Sequence, residues 1–367
     1  MFEYDVVWWL RPLLCFIDAF FGVIFFWKKN TLPKNIKRIL IIRIEHIGDV
    51  LLATPLFRAL RRTYPDARID VLVRSIASPV LARNNDVRAV VCNVPWLSEG
   101  GSWKGVFRVV SQLRKKPYDV VLEPHGDPRN IILASVVGTY RIGFANRGLG
   151  FLLDCSLPYD AQQHIIERNL TLARPLSVGD AGRELSLSLS QRDLVFARNL
   201  FKKHKIKDAV CLSPGVGAGR DEKLWTVEGW ASLADSLSET GCDLIFNGGP
   251  SQKDLVGSIL HQMKTEKYLN VCGTTTLLQS AAIIGKCNVL ISIDSGPVHI
   301  ARALGTPLVG LYGSHDPAMC GYTDERSISI WAKDIKALSP HTVMSAYTKL
   351  RRRLHGKIID RHYDSRQ

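Results

Sequence analysis

Two strand-to-helix junctions hold the side chains best suited to chemistry. The first reads Ile44-Glu45-His46-Ile47-Gly48-Asp49 and the second Asp294-Ser295-Gly296-Pro297-Val298-His299. In the first, the glycine permits a tight turn. Asp49 then sits where a helix starts, so its carboxylate suits either general-base work or a helix cap, and position alone leaves both open. In the second, Pro297 suits a first helical position. The free backbone N–H groups there, with the Ser295 hydroxyl, form a cradle for phosphate. His299 on the first turn can donate to that phosphate or pack as a helix residue; an ordinary Asp/Ser cap accounts for the spacing equally well.

Three further strand ends add polar groups. Ser213-Pro214-Gly215-Val216-Gly217-Ala218-Gly219-Arg220 resembles a dinucleotide turn, but Arg220 stands where the last glycine of G-x-G-x-x-G is required. A flexible loop closing over phosphates, with Lys223 as charge partner, fits that stretch better; a plain surface loop is the alternative. Asn247-Gly248-Gly249-Pro250 brings backbone close to a ligand or merely turns the chain. His125-Gly126-Asp127-Pro128-Arg129 offers His125, Asp127 and Arg129 to an acidic acceptor, or starts a helix. The sequence has no Walker A, H-E-x-x-H, G-x-S-x-G or D-x-D. A metal-bridged pyrophosphate is therefore not indicated, and helix N-termini with basic side chains must hold leaving-group charge.

The elements that position these residues alternate. Residues 38–43 (RILIIR) form a continuous apolar run, as in a strand buried on both faces. A helix over 49–64 follows, then strands at 67–73 and 87–91, a helix at 103–116 and a strand at 118–122. The pattern weakens over 148–207, where 184–190 (ELSLSLS) alternates like an edge strand. A second array runs through strands at 208–213, 242–246, 288–293 and 307–312, the last of them, with helices at 226–240, 251–265 and 297–304. A final helix starts at Ser339-Pro340. Repeated βα units predict an α/β chain with two Rossmann-like, doubly wound domains facing a central cleft. The expected division is 1–36, 37–180, 181–335 and 336–367, as an N-terminal segment, two Rossmann-like domains and a basic tail.

With 367 residues, 46% hydrophobic, the chain has enough for two cores. Its net charge of +14 favours an anionic partner without choosing among nucleic acid, phospholipid and phosphorylated substrate. The eight cysteines form no C-x-x-C and read as small buried hydrophobes in a reducing compartment. Asn169-Leu170-Thr171 matches a glycosylation sequon inside a helix-like stretch and carries no weight there. Residues 6–27 are apolar and rich in Trp and Phe, interrupted by Arg11, Pro12 and Asp18, and followed by Lys28, Lys29, Lys34, Lys37 and Arg38. They read as a membrane-associated helix or hairpin with the rest on the cytoplasmic side. A single span and a buried N-terminal helix are the alternatives.

Together these motifs resemble glycosyltransferase family 9, the bacterial heptosyltransferases of lipopolysaccharide core synthesis. The most specific stretch runs from Asp294 to Pro307 and ends in Gly313-Ser314-His315-Asp316-Pro317; the run from Ile47 to Pro55 (IGDVLLATP) is nearly as specific. The resemblance covers about 37–317 and implies a GT-B fold, an ADP-heptose-like donor and inversion at the anomeric carbon without metal or cofactor. It implies that Asp49 is the general base, and that Gly215, Lys223, Gly248, Gly249, Gln252, Asp294, Ser295, Gly296 and His299 bind the donor. It leaves His125, Asp127 and Arg129 for an anionic glycolipid acceptor. The expected partners are that donor, that acceptor and the membrane surface, with no nucleic acid, at the cytoplasmic face of the bacterial inner membrane. The chain departs at Ser213, where the family has histidine, and at Gln252, where it often has a ribose-contacting glutamate, with Asp254 nearby. A transferase of the same fold with another nucleotide sugar, a nicotinamide oxidoreductase and a non-catalytic glycan-binding protein are the competing readings.

Overall fold

The computed structural model describes residues 13, 18, 20, 29–97, 101–217 and 219–364, with 355–364 by backbone alone. The apolar segment 6–27 thus lies outside the described residues, apart from Leu13, Asp18 and Phe20, as does Arg366 of the basic tail. Among the described residues no helix is long and apolar enough to cross a membrane. The chain divides into two compact units, Met1–Ser186 and Leu187–Gln367.

The first unit runs β1 (Arg38–Ile42), α1 (Ile47–Leu52), α2 (Thr54–Thr63), β2 (Arg68–Val73), β3 (Arg88–Val91), α3 (Trp103–Arg114), β4 (Tyr118–Glu123), α4 (Pro128–Val137), β5 (Gly138–Phe144), β6 (Cys155–Leu157) and α5 (Ile165–Thr171). Its six strands are parallel in the order β3-β2-β1-β4-β5-β6. Ile39, Leu40, Ile41 and Ile42 are fully buried, as a strand covered by helices on both faces must be. The helix expected over 49–64 is two. Ala53 takes a φ of −93° and ψ of −6°, Thr54 Oγ1 donates to the Leu51 carbonyl at 2.7 Å, and Pro55 restarts the helix because it has no N–H to continue the earlier one. The edge strand expected at 184–190 forms no ladder. Its backbone is instead satisfied by α2: Ser186 N–H donates to Thr54 Oγ1 at 3.0 Å and Arg58 Nη2 to the Glu184 carbonyl at 2.9 Å.

The second unit runs α6 (Gln191–Lys203), β7 (Ala209–Ser213), α7 (Val227–Glu239), β8 (Asp243–Phe246), α8 (Lys253–Gln262), β9 (Tyr268–Asn270), α9 (Leu277–Lys286), β10 (Val289–Ile293), α10 (Gly296–Leu304), β11 (Leu308–Tyr312), α11 (Pro317–Cys320), β12 (Ser327–Trp331) and α12 (Pro340–Asp364). Its sheet is again parallel, ordered β12-β11-β10-β7-β8-β9. The strand ending at Tyr312 is not the last, since β12 pairs beyond it from Leu308↔Ser327 to Tyr312↔Trp331. The core joins Trp225, Trp230, Leu237 and Phe246 to Val343, Tyr347 and Leu350 of α12, so the front of that helix packs as part of this unit. The seven described cysteines are free, and all but Cys155 are buried.

In each sheet the strand order reverses once, between β1 and β4 and between β7 and β10. At such a reversal the neighbouring loops diverge and open a crevice at the carboxyl ends of the strands, where open α/β sheets bind ligands.

Candidate functional site

In the first unit, the loops after β1 and β4 bring one group of ionisable residues together. Asp49 is the third residue of α1, not its cap. The cap is His46, whose backbone N–H donates to Asp49 Oδ2 at 3.0 Å. Arg43 is 2% exposed. Its Nη2 donates to Asn169 Oδ1 on α5 at 2.7 Å and its Nη1 lies 3.4 Å from Glu45 Oε2. Asn169 Nδ2 donates in turn to the Leu52 carbonyl at 2.9 Å, tying α5 to the end of α1. Arg74 clamps the Glu45 carbonyl with Nε and Nη2 at 3.0 and 2.8 Å.

From β4, Glu123 accepts the backbone N–H groups of His125 and Gly126 at 3.1 and 2.5 Å. Asp127 caps α4 by accepting Arg129 N–H at 2.8 Å, and the Arg129 side chain returns to the same carboxylate through Nε at 2.9 Å and Nη2 at 2.6 Å. Of the three acceptor candidates, Asp127 and Arg129 therefore bind one another, and Arg129 also lies over the Trp96 ring at 5.5 Å.

The environment separates these carboxyls. Burial pushes Glu45 up to about 7; nearby Arg43 pulls it back and Asp49 adds to the rise. Burial pushes Glu123 up to about 8, with repulsion from Glu45. Burial also acts to raise Asp49, but Arg43, His46 and the His46 N–H outweigh it, and the carboxyl stays below its ordinary value. Asp127 is likewise held down despite burial, by Arg129. His125 is held down to about 3, first by burial and then by Arg147. At neutral pH the first unit thus presents an ionised Asp49 beside a neutral His125 imidazole, a protonated Glu123 and a Glu45 close to its midpoint. Charges pushed apart in this way mark acid–base sites.

In the second unit the loop after β7 holds a short 3₁₀ turn, Asp221–Lys223. Beyond that turn the chain is anchored: Trp225 is 2% exposed, stacks edge-on against Trp230 at 5.2 Å and donates Nε1–H to the Leu338 carbonyl at 2.9 Å. Two residues earlier, Lys223 Nζ donates to Asp294 Oδ2 at 2.6 Å with both side chains buried. His315 Nδ1 lies 3.5 Å from the same oxygen. Burial would raise Asp294, yet His315 and Lys223 hold it well below the ordinary range. Ser295 holds the N-cap position of α10 without a side-chain cap bond, its Oγ donating instead to the Ile293 carbonyl at 3.1 Å. Gly296 opens the helix, Pro297 has no N–H, and the Val298 N–H donates to the Ser295 carbonyl at 3.1 Å. His299 is buried on the same turn, its Nδ1 2.8 Å from the Tyr322 hydroxyl.

Both ends of the Gln252 amide are engaged. Its Nε2 donates to the Val216 carbonyl at 2.8 Å and its Oε1 accepts Gly249 N–H at 3.1 Å. The side chain so crowds two glycines that a Cβ on Gly215 would meet its Cδ at 2.4 Å and one on Gly248 its Oε1 at 2.5 Å. Gln252 thus staples the loop after β7 to the turn after β8, with Gly249 beside it open to space. The sequence motifs passed over Arg43 and Glu123, and they contained Glu45, Asn169 and His315 without giving them a role in the site. Their one signal is position, since all but Asn169 stand at or just past the carboxyl end of a strand.

The chain matches the family model for glycosyltransferase family 9 (heptosyltransferase) over residues 106–348. The match includes the Lys223–Asp294 group and begins beyond Asp49. It is 27% identical to a lipopolysaccharide core heptosyltransferase of Haemophilus influenzae, over 77% of this chain and 80% of that one. Its fold is similar to the crystal structure of a family 9 glycosyl transferase from Veillonella parvula, with a TM-score of 0.76 at 24% identity over 88% of this chain and 98% of that one. It is also similar to the structure of the Escherichia coli ADP-heptose lps heptosyltransferase II, with a TM-score of 0.73 at 23% identity over 87% and 99%. The fold is accordingly GT-B, and with more than half of its length matched the chain belongs to glycosyltransferase family 9, the heptosyltransferases, and is a glycosyltransferase.

Proposed function

We propose that this enzyme transfers a heptose from ADP-heptose to the lipopolysaccharide core or a related membrane glycolipid, at the cytoplasmic face of the inner membrane. Asp49 takes the proton from an acceptor hydroxyl. The freed oxygen attacks the anomeric carbon as the bond from that carbon to the diphosphate oxygen breaks, and the electron pair leaves on ADP. One in-line displacement inverts the centre. The charge on the departing diphosphate is met by Lys223 and by the positive end of the α10 dipole, with the Gly296 N–H at its first position. An ammonium has three N–H donors, and the bond to Asp294 uses one. This supply of positive charge supports a reaction that needs no bridging metal.

The observation that carries the proposal is Asp49 on the first turn of α1, fixed by the His46 N–H at 3.0 Å and kept below the ordinary carboxyl range by Arg43 and His46. The donor and acceptor come from the names of the relatives. Turnover of ADP-heptose by the wild type but not by Asp49→Asn, undiminished by chelator, is the supporting result; chelator-sensitive turnover removes metal independence, and an active Asp49→Asn removes the base. A second reading, the same chemistry with another nucleotide sugar, draws support from Gln252, whose amide is occupied where the resemblance implies a ribose contact. Thermal shift with ADP-, UDP- and GDP-sugars separates the two, since a ligand that binds the folded state raises the melting temperature.

A further inference from the structure

Helix α3 is apolar on two sides. Val106 and Leu113 enter the core under the sheet together with Leu133, Ala134 and Val137 of α4, so both helices cover the same side of the first unit and face outward together. On that outer face Trp103 is 60% and Phe107 68% exposed, one turn apart, and Ile132 and Val136 of α4 are exposed as well. Trp103 is braced against Trp96 at 5.3 Å, and Trp96 carries Arg129 of α4. Lys104, Arg108, Arg114, Lys115 and Lys116 are exposed, and residues 103–116 contain no acid.

We propose that this outer face of α3 and α4 docks the first unit on an anionic phospholipid bilayer. Each exposed aromatic is followed by a cation, in the pairs Trp103-Lys104 and Phe107-Arg108. Such pairs suit the headgroup boundary, where rings enter the acyl edge while aliphatic stems let the charges reach the phosphates. A protein interface gathers its apolar residues in a core with charges displaced to a rim; here the two alternate along one helix. A nucleic acid would need free ring faces for stacking, whereas Trp103 already packs on Trp96. Asn30, which follows Lys28 and Lys29 in sequence, donates to the Thr139 carbonyl at 2.8 Å, two residues past the end of α4. The surface deepens the membrane-acceptor reading given above, but vesicle binding is measured without donor or acceptor, so either can fail alone.

The test is co-sedimentation of the full chain with vesicles of phosphatidylcholine, with and without phosphatidylglycerol. The wild type should partition about tenfold or more in favour of the anionic vesicles and release in high salt. Trp103→Ser with Phe107→Ser should lower that partition by about tenfold. Lys104→Glu with Arg108→Glu should abolish the preference for phosphatidylglycerol. All four side chains are exposed, so an unchanged melting temperature is expected and verifies the fold. Wild-type partition by the serine pair, which would place binding elsewhere in the chain, overturns the proposal. So does equal binding to both vesicle types, or a wild-type dimer that the serine pair dissociates.

Discussion

Lys223 and Asp294, 71 residues apart in sequence, are joined at 2.6 Å with both side chains buried. Such a pair is costly to break from one side, because the survivor is a buried charge without its partner. Lys223→Met should cost roughly 3–5 kcal/mol of stability and weaken donor binding by about one to two orders of magnitude. Denaturant melts and donor titration report the two losses. Asp294→Asn should cost a similar amount, because it leaves the Lys223 ammonium as the buried charge, and retained donor affinity in Lys223→Met would remove the phosphate role.

Asp49→Asn should lower kcat by about 10²–10⁴ while leaving donor affinity close to wild type. The asparagine side-chain oxygen can still accept the His46 N–H, so a change in melting temperature should be small. Single-turnover rates with pre-bound donor are the measurement, and a wild-type rate refutes the assignment.

Arg43 holds Asp49 ionised. Removing a cation favours the neutral acid, so Arg43→Gln should shift the acid limb of the kcat–pH profile to higher pH, whereas Arg43→Lys should restore most of it. An unmoved limb in the glutamine variant would assign Arg43 a packing role only.

Glu45 and Glu123 make stability fall with pH. Their folded values, about 7 and about 8, lie above the ordinary 4.5, so the folded state binds more protons than the unfolded chain in that window. Their contribution is complete below about 4.5 and is lost as pH rises through 7 and 8. Asp49, Asp127 and Asp294 are shifted the other way, and their contribution is lost on the acid side. Melting temperature against pH should peak in mild acid, and Glu45→Gln with Glu123→Gln should flatten its alkaline fall.

Gly215→Ala should displace Gln252, because the added carbon would sit 2.4 Å from Cδ. A loss of about 1–3 kcal/mol is expected. Gln252→Ala in the same chain should recover most of it, and a double-mutant cycle measures the coupling.

The two arrays were readable where strands are buried on both faces. Residues 39–42 and 289–293 are unbroken aliphatic runs, and the helix opening at Gly296 follows from Ser295 and Pro297. Strands β5, β6, β9 and β12 escaped notice because they are short or half-exposed and mix polar with apolar residues. The alternation at 184–190 reflects a segment lying on α2, with helix side chains in place of a neighbouring strand. In the site, glycine-marked turns gave away Asp49 and Asp294. Arg43 was hidden as the polar end of an apolar run and Asn169 inside a helix, and Glu45 stood in the first motif without a role; only the fold brings them to one place.

The indole bond from Trp225 to Leu338 ties the stretch carrying Lys223 to a carbonyl two residues ahead of Pro340. Truncating the protein before its last helix would therefore do more than trim a basic end. It would expose the pocket that seats Trp225, slacken the strap two residues from the ammonium, and blunt the enzyme's grip on a diphosphate without touching any group that meets it.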